Sequence, residues 1–136
     1  MSTVQVRYIV NDVDEAIAFY TGLLGFTLVM HPAPPFAMLP RGDLRLVLSA
    51  PSPMGGGGQA MPDGTVPTPG GWNRFAIEVE DLEAAVQRLR DAGAHFRNRI
   101  VTGAGGKQIL VEDPSGNAVE LFEPMLEEAR LGRSKR

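Results

Sequence analysis

Few residues in this chain have the chemistry for catalysis, and their positions narrow the choices. There is no cysteine. That removes a thiolate nucleophile, a thiolate zinc site and a disulfide framework. The two histidines, His31 beside Pro32 and His95 after Gly93-Ala94, read as surface residues at strand edges rather than as bases. The Gly55–Gly58 run has the composition of a phosphate loop. No lysine or Ser/Thr follows at the required spacing, and no helical pattern begins there, so it is not one. Trp72 could stack on a planar ligand or plug the end of a sheet. The remaining chemistry lies in side chains that alternate along strand-like runs. Gln5, Arg7 and Ile9 share one face of the first, and Arg74, Ala76 and Glu78 one face of a later one. Phe36, Met38, Leu44, Leu46, Leu48 and Phe122 could supply an apolar wall beside them.

What must position these residues is legible because the chain says nearly the same thing twice. VRYIVNDVDEAIAFYTGLLG (6–25) and FAIEVEDLEAAVQRLRDAG (75–93) align at one constant offset, with Asp12 on Asp81, Val10 on Val79, Ala16 on Ala85 and Ile17 on Val86. RGDLRLVLSAP (41–51) echoes SGNAVELFEP (115–124), with Gly42 on Gly116 and Leu48 on Phe122. Such a repeat constrains a fold more than any single motif.

Each copy predicts a strand, a helix and then further strands. In the first, Gln5–Val10 alternates as a half-buried strand, with Val4, Val6, Tyr8 and Val10 on the other face. Asp12 or Asp14 is the expected helix N-cap, and Ala16, Ile17, Phe19, Tyr20, Leu23 and Leu24 form an apolar stripe that stops at Gly25. Phe26–Met30 reads as a strand, His31–Pro35 as a break, and Phe36–Leu39 with Leu44–Leu48 as a hairpin. In the second copy, a strand over Arg74–Val79 precedes a helix from near Asp81 to Ala92, stopped by Gly93. Strands near 95–100, 107–112 and 118–123 follow, with DPSGN (113–117) as a tight turn and Gly116-Asn117 as its expected positive-φ residues. The expected organisation is thus a module over 1–49, a Gly/Pro-rich linker or lid over 50–71, a second module over 72–124 and a flexible tail over 125–136. Met54 and Met61 favour a lid, since a pure spacer needs no apolar residues.

Composition excludes several classes. At 136 residues with 43% hydrophobic content, the chain is one globular domain or two small modules sharing a core. A net charge of −3 gives no electrostatic case for nucleic acid, and the few basic residues of the tail do not change that. No apolar stretch approaches the roughly 20 residues of a membrane span, and no signal peptide is visible. A cytoplasmic location is the default expectation.

The segments DVDEAIAFYTGLLGF (12–26), DLEAAVQRLRDAG (81–93) and EDPSGNAVELFEP (112–124) resemble the vicinal oxygen chelate superfamily of glyoxalases, bleomycin-resistance proteins and extradiol dioxygenases. The resemblance implies an α+β fold of two βαβββ modules, a curled mixed sheet forming a cleft with helices on the convex side, and a homodimer. It further implies that enzymes of the family hold a divalent metal on the cleft floor, through the first and last strand of each module. At those positions this sequence offers Gln5, Leu46, Arg74 and Glu120. Gln5 and Glu120 suit a metal; Leu46 cannot ligate, and Arg74 brings a permanent cation to where the metal would sit. Neither histidine falls at a ligand position, so the two-His, one-carboxylate triad of the dioxygenases is missing. The expectation is a metal-free small-molecule binding module without cofactor, its ligand contacted by Gln5, Arg7, Phe36, Met38, Leu46, Trp72, Arg74, Glu120 and Phe122, with Arg74 paired to Glu120 in place of a metal. The alternatives are a metal-dependent glyoxalase-like lyase, isomerase or dioxygenase using Gln5 and Glu120, and a protein-interaction domain on the same fold.

Overall fold

The computed structural model describes residues 4–125. The expected flexible tail lies, apart from Met125, outside the described residues. The chain folds as two compact units. One runs to Gly71 and includes the Asp113–Asn117 turn; the other comprises Trp72 to Glu112 and the residues from Ala118 on.

The first unit follows the order strand β1 (Val4–Ile9), helix α1 (Val13–Leu23), then strands β2 (Met30–Ala33), β3 (Phe36–Arg41) and β4 (Leu44–Ser49). The strands form one sheet in the order β1-β4-β3-β2, with β1 parallel to β4 and the remaining pairs antiparallel. Asp12 caps α1: its backbone is extended and its Oδ1 accepts the Glu15 N–H at 3.0 Å. The chain leaves the helix through Gly25 at φ 76°, a conformation that costs a side chain dearly. Val10, Ala16, Phe19, Tyr20, Leu39, Leu46 and Leu48 form the buried core of the unit, with the Tyr20 ring edge-on to Phe19 and Phe26.

In the second unit β5 (Ala76–Glu78) leads to α2 (Leu82–Asp91), followed by β6 (His95–Phe96), β7 (Val101–Thr102), β8 (Gly106–Glu112) and β9 (Ala118–Pro124). The sheet runs β5-β9-β8-β6, with β7 also on β8, and β5 lies parallel to β9. Asp81 caps α2 through the Ala84 N–H, and Glu123 on β9 accepts the Leu82 N–H at 2.8 Å, satisfying a second orphan donor. Ile77, Leu82, Val86, Leu89, Ile109, Val119 and Leu121 make the core.

The two βαβββ patterns are present, with four local departures from expectation. The second strand of the first unit is Met30–Ala33, so the expected break at His31–Pro35 shrinks to a turn at Pro34-Pro35. Pro32 is tolerated because β2 is the sheet edge and its register with β3 slips between Met30 and Ala33. The strand expected over 74–79 shortens to three residues, and the one over 95–100 divides into two short pieces that both pair with β8. Asn117 does not take positive φ; Gly116 alone does, at 89°. Asn117 is instead buried, donating from its side-chain amide to the Ile9 carbonyl and to Asp113.

That turn shows why two separated segments of the sequence go together. The buried Asp113 carboxylate accepts from the Ser115 and Asn117 backbone N–H groups, the Asn117 amide and the Tyr20 hydroxyl, the last at 2.8 Å. Burial, and then the Asp113 charge, pushes the Tyr20 hydroxyl well above its ordinary pKa. The aromatic pair on α1 and the DPSGN turn are two halves of one polar core contact, with no role that requires a ligand.

Candidate functional site

Side chains that face each other across a strand pair lie on the same side of a sheet. In the first unit the pairings Gln5↔Arg45, Arg7↔Val47 and Ile9↔Ser49 continue through Val47↔Met38 and Ser49↔Phe36. Gln5, Arg7, Ile9, Arg45, Val47, Ser49, Phe36 and Met38 therefore share one face. The opposite face carries Val6, Tyr8, Ala37, Leu39, Leu46 and Leu48, the side that meets α1. Of the residues singled out in sequence, Gln5, Arg7, Phe36 and Met38 fall together. Leu46 does not: it pairs with Val6 and is 0% exposed, within the core.

Its misplacement is a register error. Val10 N–H bonds the Ser49 carbonyl at 2.9 Å, and Val79 N–H bonds the Phe122 carbonyl at 2.8 Å. Val10 and Val79 are repeat partners, so Ser49 answers to Phe122 and Val47 to Glu120. The sequence echo that set Leu48 on Phe122 is one residue out. One residue is enough to turn a strand inside out. Leu44 and Leu48, expected in the apolar wall, move to the core side with Leu46 for the same reason. Arg45, which the sequence reading passed over, joins Gln5 and Arg7. The signal for it was the strand alternation itself, once read in the right register.

The 50–71 segment returns over this face. Ser49 Oγ donates to the Gly56 carbonyl, Ala50 N–H to Pro35 O, and Ser52 N–H to Gly58 O. A Cβ on Gly56 would press on Phe36, one on Gly57 on the Arg7 guanidinium, and one on Gly58 on the Ala50 carbonyl. Gly55, Gly56 and Gly57 all have positive φ, between 81° and 97°. The glycine run is thus a close-packed stretch of main chain laid against Phe36 and Arg7. Met54 and Met61, the apolar residues of this segment that favoured a lid, are exposed.

In the second unit the matching face carries Ala76, Glu78, Leu110, Glu120 and Phe122. Arg74 reaches Glu120 through Nε and Nη2, both 3.1 Å from Oε1, and donates from Nη1 to the Trp72 carbonyl at 3.3 Å. Trp72 does not plug the sheet: it is 69% exposed, with the Arg97 guanidinium 4.7 Å from its ring centre. Arg97 in turn holds Glu112, with Nε 2.7 Å from Oε2, and His95 lies 3.9 Å from the same carboxylate. Each arginine here has a carboxylate partner. Glu120 is half-buried, so the Arg74 contact matters more than an exposed ion pair would.

Elsewhere, the carboxylates of Asp81, Glu83 and Glu123 cluster at the start of α2. Lys107 Nζ sits among them, 3.0 and 2.9 Å from the two oxygens of Glu83 and 3.9 Å from Glu123. The Lys107 hydrogen bond holds the Glu83 carboxyl below its usual pKa, and the Lys107 ammonium is raised in turn. Lys107 thus supplies a cation to the cluster and ties β8 to the start of α2. His31, exposed on β2, places Nδ1 2.8 Å from the Phe36 carbonyl and Nε2 3.1 Å from Asp14. Among the described residues no helix is long and apolar enough to cross a membrane.

Solved structures with this architecture are numerous. A Glyoxalase/bleomycin resistance protein/dioxygenase superfamily member from Sphaerobacter thermophilus is 25% identical with TM-score 0.72, over 90% of this chain and 97% of that one. TnmS3, an antibiotic-binding protein from a Streptomyces species, is 25% identical with TM-score 0.66, over 91% and 97%. Lactoylglutathione lyase from Agrobacterium tumefaciens shares the fold at 20% identity and TM-score 0.68, over 90% and 92%. No curated protein sequence matches the chain. The sequence model of one family matches residues 3–121, nearly the whole of what the two repeats span, and the chain belongs to that family, the Glyoxalase/Bleomycin resistance protein/Dioxygenase superfamily.

Proposed function

We propose that this chain is a metal-free member of the superfamily that binds a small molecule on the helix-free faces of its sheets. The observation that carries the reading is the state of Glu120. The carboxylate at the family's last-strand ligand position is already engaged by Arg74, and its counterpart in the first unit is the apolar Val47. In the second unit a divalent ion would find one carboxylate committed to a guanidinium, and in the first the Gln5 amide with Val47 where that carboxylate would stand. Neither donor set suits a divalent cation. A buried or half-buried carboxylate needs a partner, and arginine supplies charge and hydrogen bonds together.

The relation to TnmS3, whose described role is antibiotic binding, supports a binding role. The likeness to a lyase at 20% identity supports the fold alone. On the face itself, Phe36 and Met38 offer an apolar surface next to the polar Gln5 and Arg7, the mixture a small-molecule site requires. Phe122, Arg74, Glu120 and Trp72 supply the equivalent surface of the second unit. The binding form we propose is a homodimer; Leu28, Val29 and Met30 stand exposed by the β2 edge, an apolar run that a second copy would cover.

Elemental analysis of the purified, untagged protein, before and after incubation with Ni, Zn, Mn and Fe(II) and desalting, tests the reading. Retention of no metal supports it. One bound metal per chain sinks it and puts the metal-dependent lyase, isomerase or dioxygenase in its place. Analytical ultracentrifugation tests the dimer.

A further inference from the structure

Arg7 and Arg45 differ from every other arginine on the two helix-free faces. Neither guanidinium has a hydrogen-bond or ion-pair partner among the described residues, nor does the Gln5 side chain between them in register. Arg45 lies directly across from Gln5, and Arg7 is the next residue along β1 on the same face. All three are exposed, so two cations and an amide project side by side from one end of an otherwise apolar face. Like charges at that spacing repel, and among the described residues no ion pair offsets them.

The glycine run completes the arrangement. Gly57 main chain lies against the Arg7 guanidinium so closely that a Cβ there would collide with it. The backbone N–H groups of Gly55, Gly56, Gly57 and Gly58 donate to no acceptor among the described residues. Hydrogen-bond donors are rarely left idle in a folded chain unless water or a ligand takes them. Backbone N–H groups without an acceptor, beside a guanidinium, favour an oxyanion. Phe36 and Met38, both partly exposed, continue the face from there as an apolar bed.

We propose that Arg7, Arg45 and Gln5, with the Gly55–Gly58 main chain, form an oxyanion subsite, and that the ligand is a small molecule with a phosphonate, phosphate or carboxylate group on an apolar body. This rests on the binding reading above and names the chemical class of its ligand. The site is unrelated to a nucleotide phosphate loop, since its charge comes from β1 and β4 and no helix follows the glycines.

The test is a titration of the chelator-treated full-length protein, followed by amide NMR, with phenylphosphonate, benzoate and benzylammonium. The expected result is that the two anions shift the Gly55–Gly58 amides and benzylammonium does not. Tighter phosphonate binding assigns a dianion and tighter benzoate binding a monoanion; either supports the subsite. Arg7→Gln and Arg45→Gln should each weaken the anion about tenfold or more, which is the scale of a charge-assisted hydrogen bond. Both side chains are exposed and unpartnered, so both variants should keep the wild-type spectrum. Equal response to benzylammonium, shifts confined to the Arg74 and Trp72 region, or unchanged affinity in the double variant would overturn the proposal. Metal content measured on the same protein before chelator treatment separates the two ideas. Retained metal with intact anion binding leaves the subsite standing and removes the metal-free reading. Metal-free protein that ignores both anions does the reverse.

Discussion

The two units share a strand-helix-strand frame and use opposite electrostatics on it. At repeat-equivalent positions, Gln5 answers to Arg74 and Val47 to Glu120, while Arg7 and Arg45 answer to Ala76 and Ala118. The second unit has guanidinium and carboxylate together, and each satisfies the other. The first has guanidinium without carboxylate, under a cover of glycine main chain. Duplication preserved the elements because caps, glycine stops and core stripes are needed in both halves. The helix-free side of each strand carried no such demand, so chemistry could diverge there. A paired charge is a structural device; an unpaired pair of like charges is a site waiting for a counter-ion.

The strongest way to break the comparison is at the two hairpin turns. Asp113→Ala strips four donors of their acceptor in the β8–β9 turn and should cost about 3 kcal/mol by denaturant unfolding. Asp43→Ala, in the exposed β3–β4 turn, should stay within about 0.5 kcal/mol. Equal losses would mean the turns do equivalent work after all.

Next come the glycines. Gly58→Ala drives a methyl group into the Ala50 carbonyl, at about 2 kcal/mol, and loosens the cover over Arg7. Gly103→Ala, in the second unit, meets open space and should change the unfolding midpoint little. If Gly58→Ala is also neutral, the main chain does not sit on the first sheet as described.

The arginines sharpen the contrast more finely. Arg74→Ala leaves the half-buried Glu120 alone and should cost about 1 kcal/mol, a figure already reduced for the partial exposure of both groups. Arg7→Ala removes repulsion rather than attraction and should leave stability unchanged or slightly raised, measured in the same urea series.

The smallest effect belongs to His31. Its hydrogen bond to the Phe36 carbonyl, and then Asp14, raises its pKa above 6.5. A raised folded pKa means the stabilisation is fully present below about pH 6.5 and fades as pH rises through the folded value. His31→Gln should therefore lower the thermal midpoint more at pH 5.5 than at pH 8.5.

Much of this was written in the chain. Asp12 and Asp81 as caps, Gly25 and Gly93 as stops, and the apolar stripes of both helices depend on residues a few positions apart, and local geometry enforces them wherever the sequence folds. The pairing of Arg74 with Glu120 was also legible, because the family resemblance put both at ligand positions and a carboxylate beside an arginine has few better partners. The β2 edge was not, since a proline looks like a break until the neighbours that excuse it are known. Asn117 looked like a turn residue for a similar reason; only its burial shows why the turn needs an amide that can reach Ile9 and Asp113.

The sequence by itself determined the duplicated architecture, the helix limits, and, in having no cysteine, the lack of any thiolate chemistry. Only the tertiary structure decided which side of each strand a residue takes. A one-residue shift in the alignment of the last strands moved Leu46 into the core and brought Arg45 and Val47 onto the candidate face. It also decided that the Gly55–Gly58 run packs against Arg7. Strand period is two and strand partners are distant in sequence, so a composition echo cannot fix register; hydrogen bonds between β1 and β4, and between β5 and β9, do.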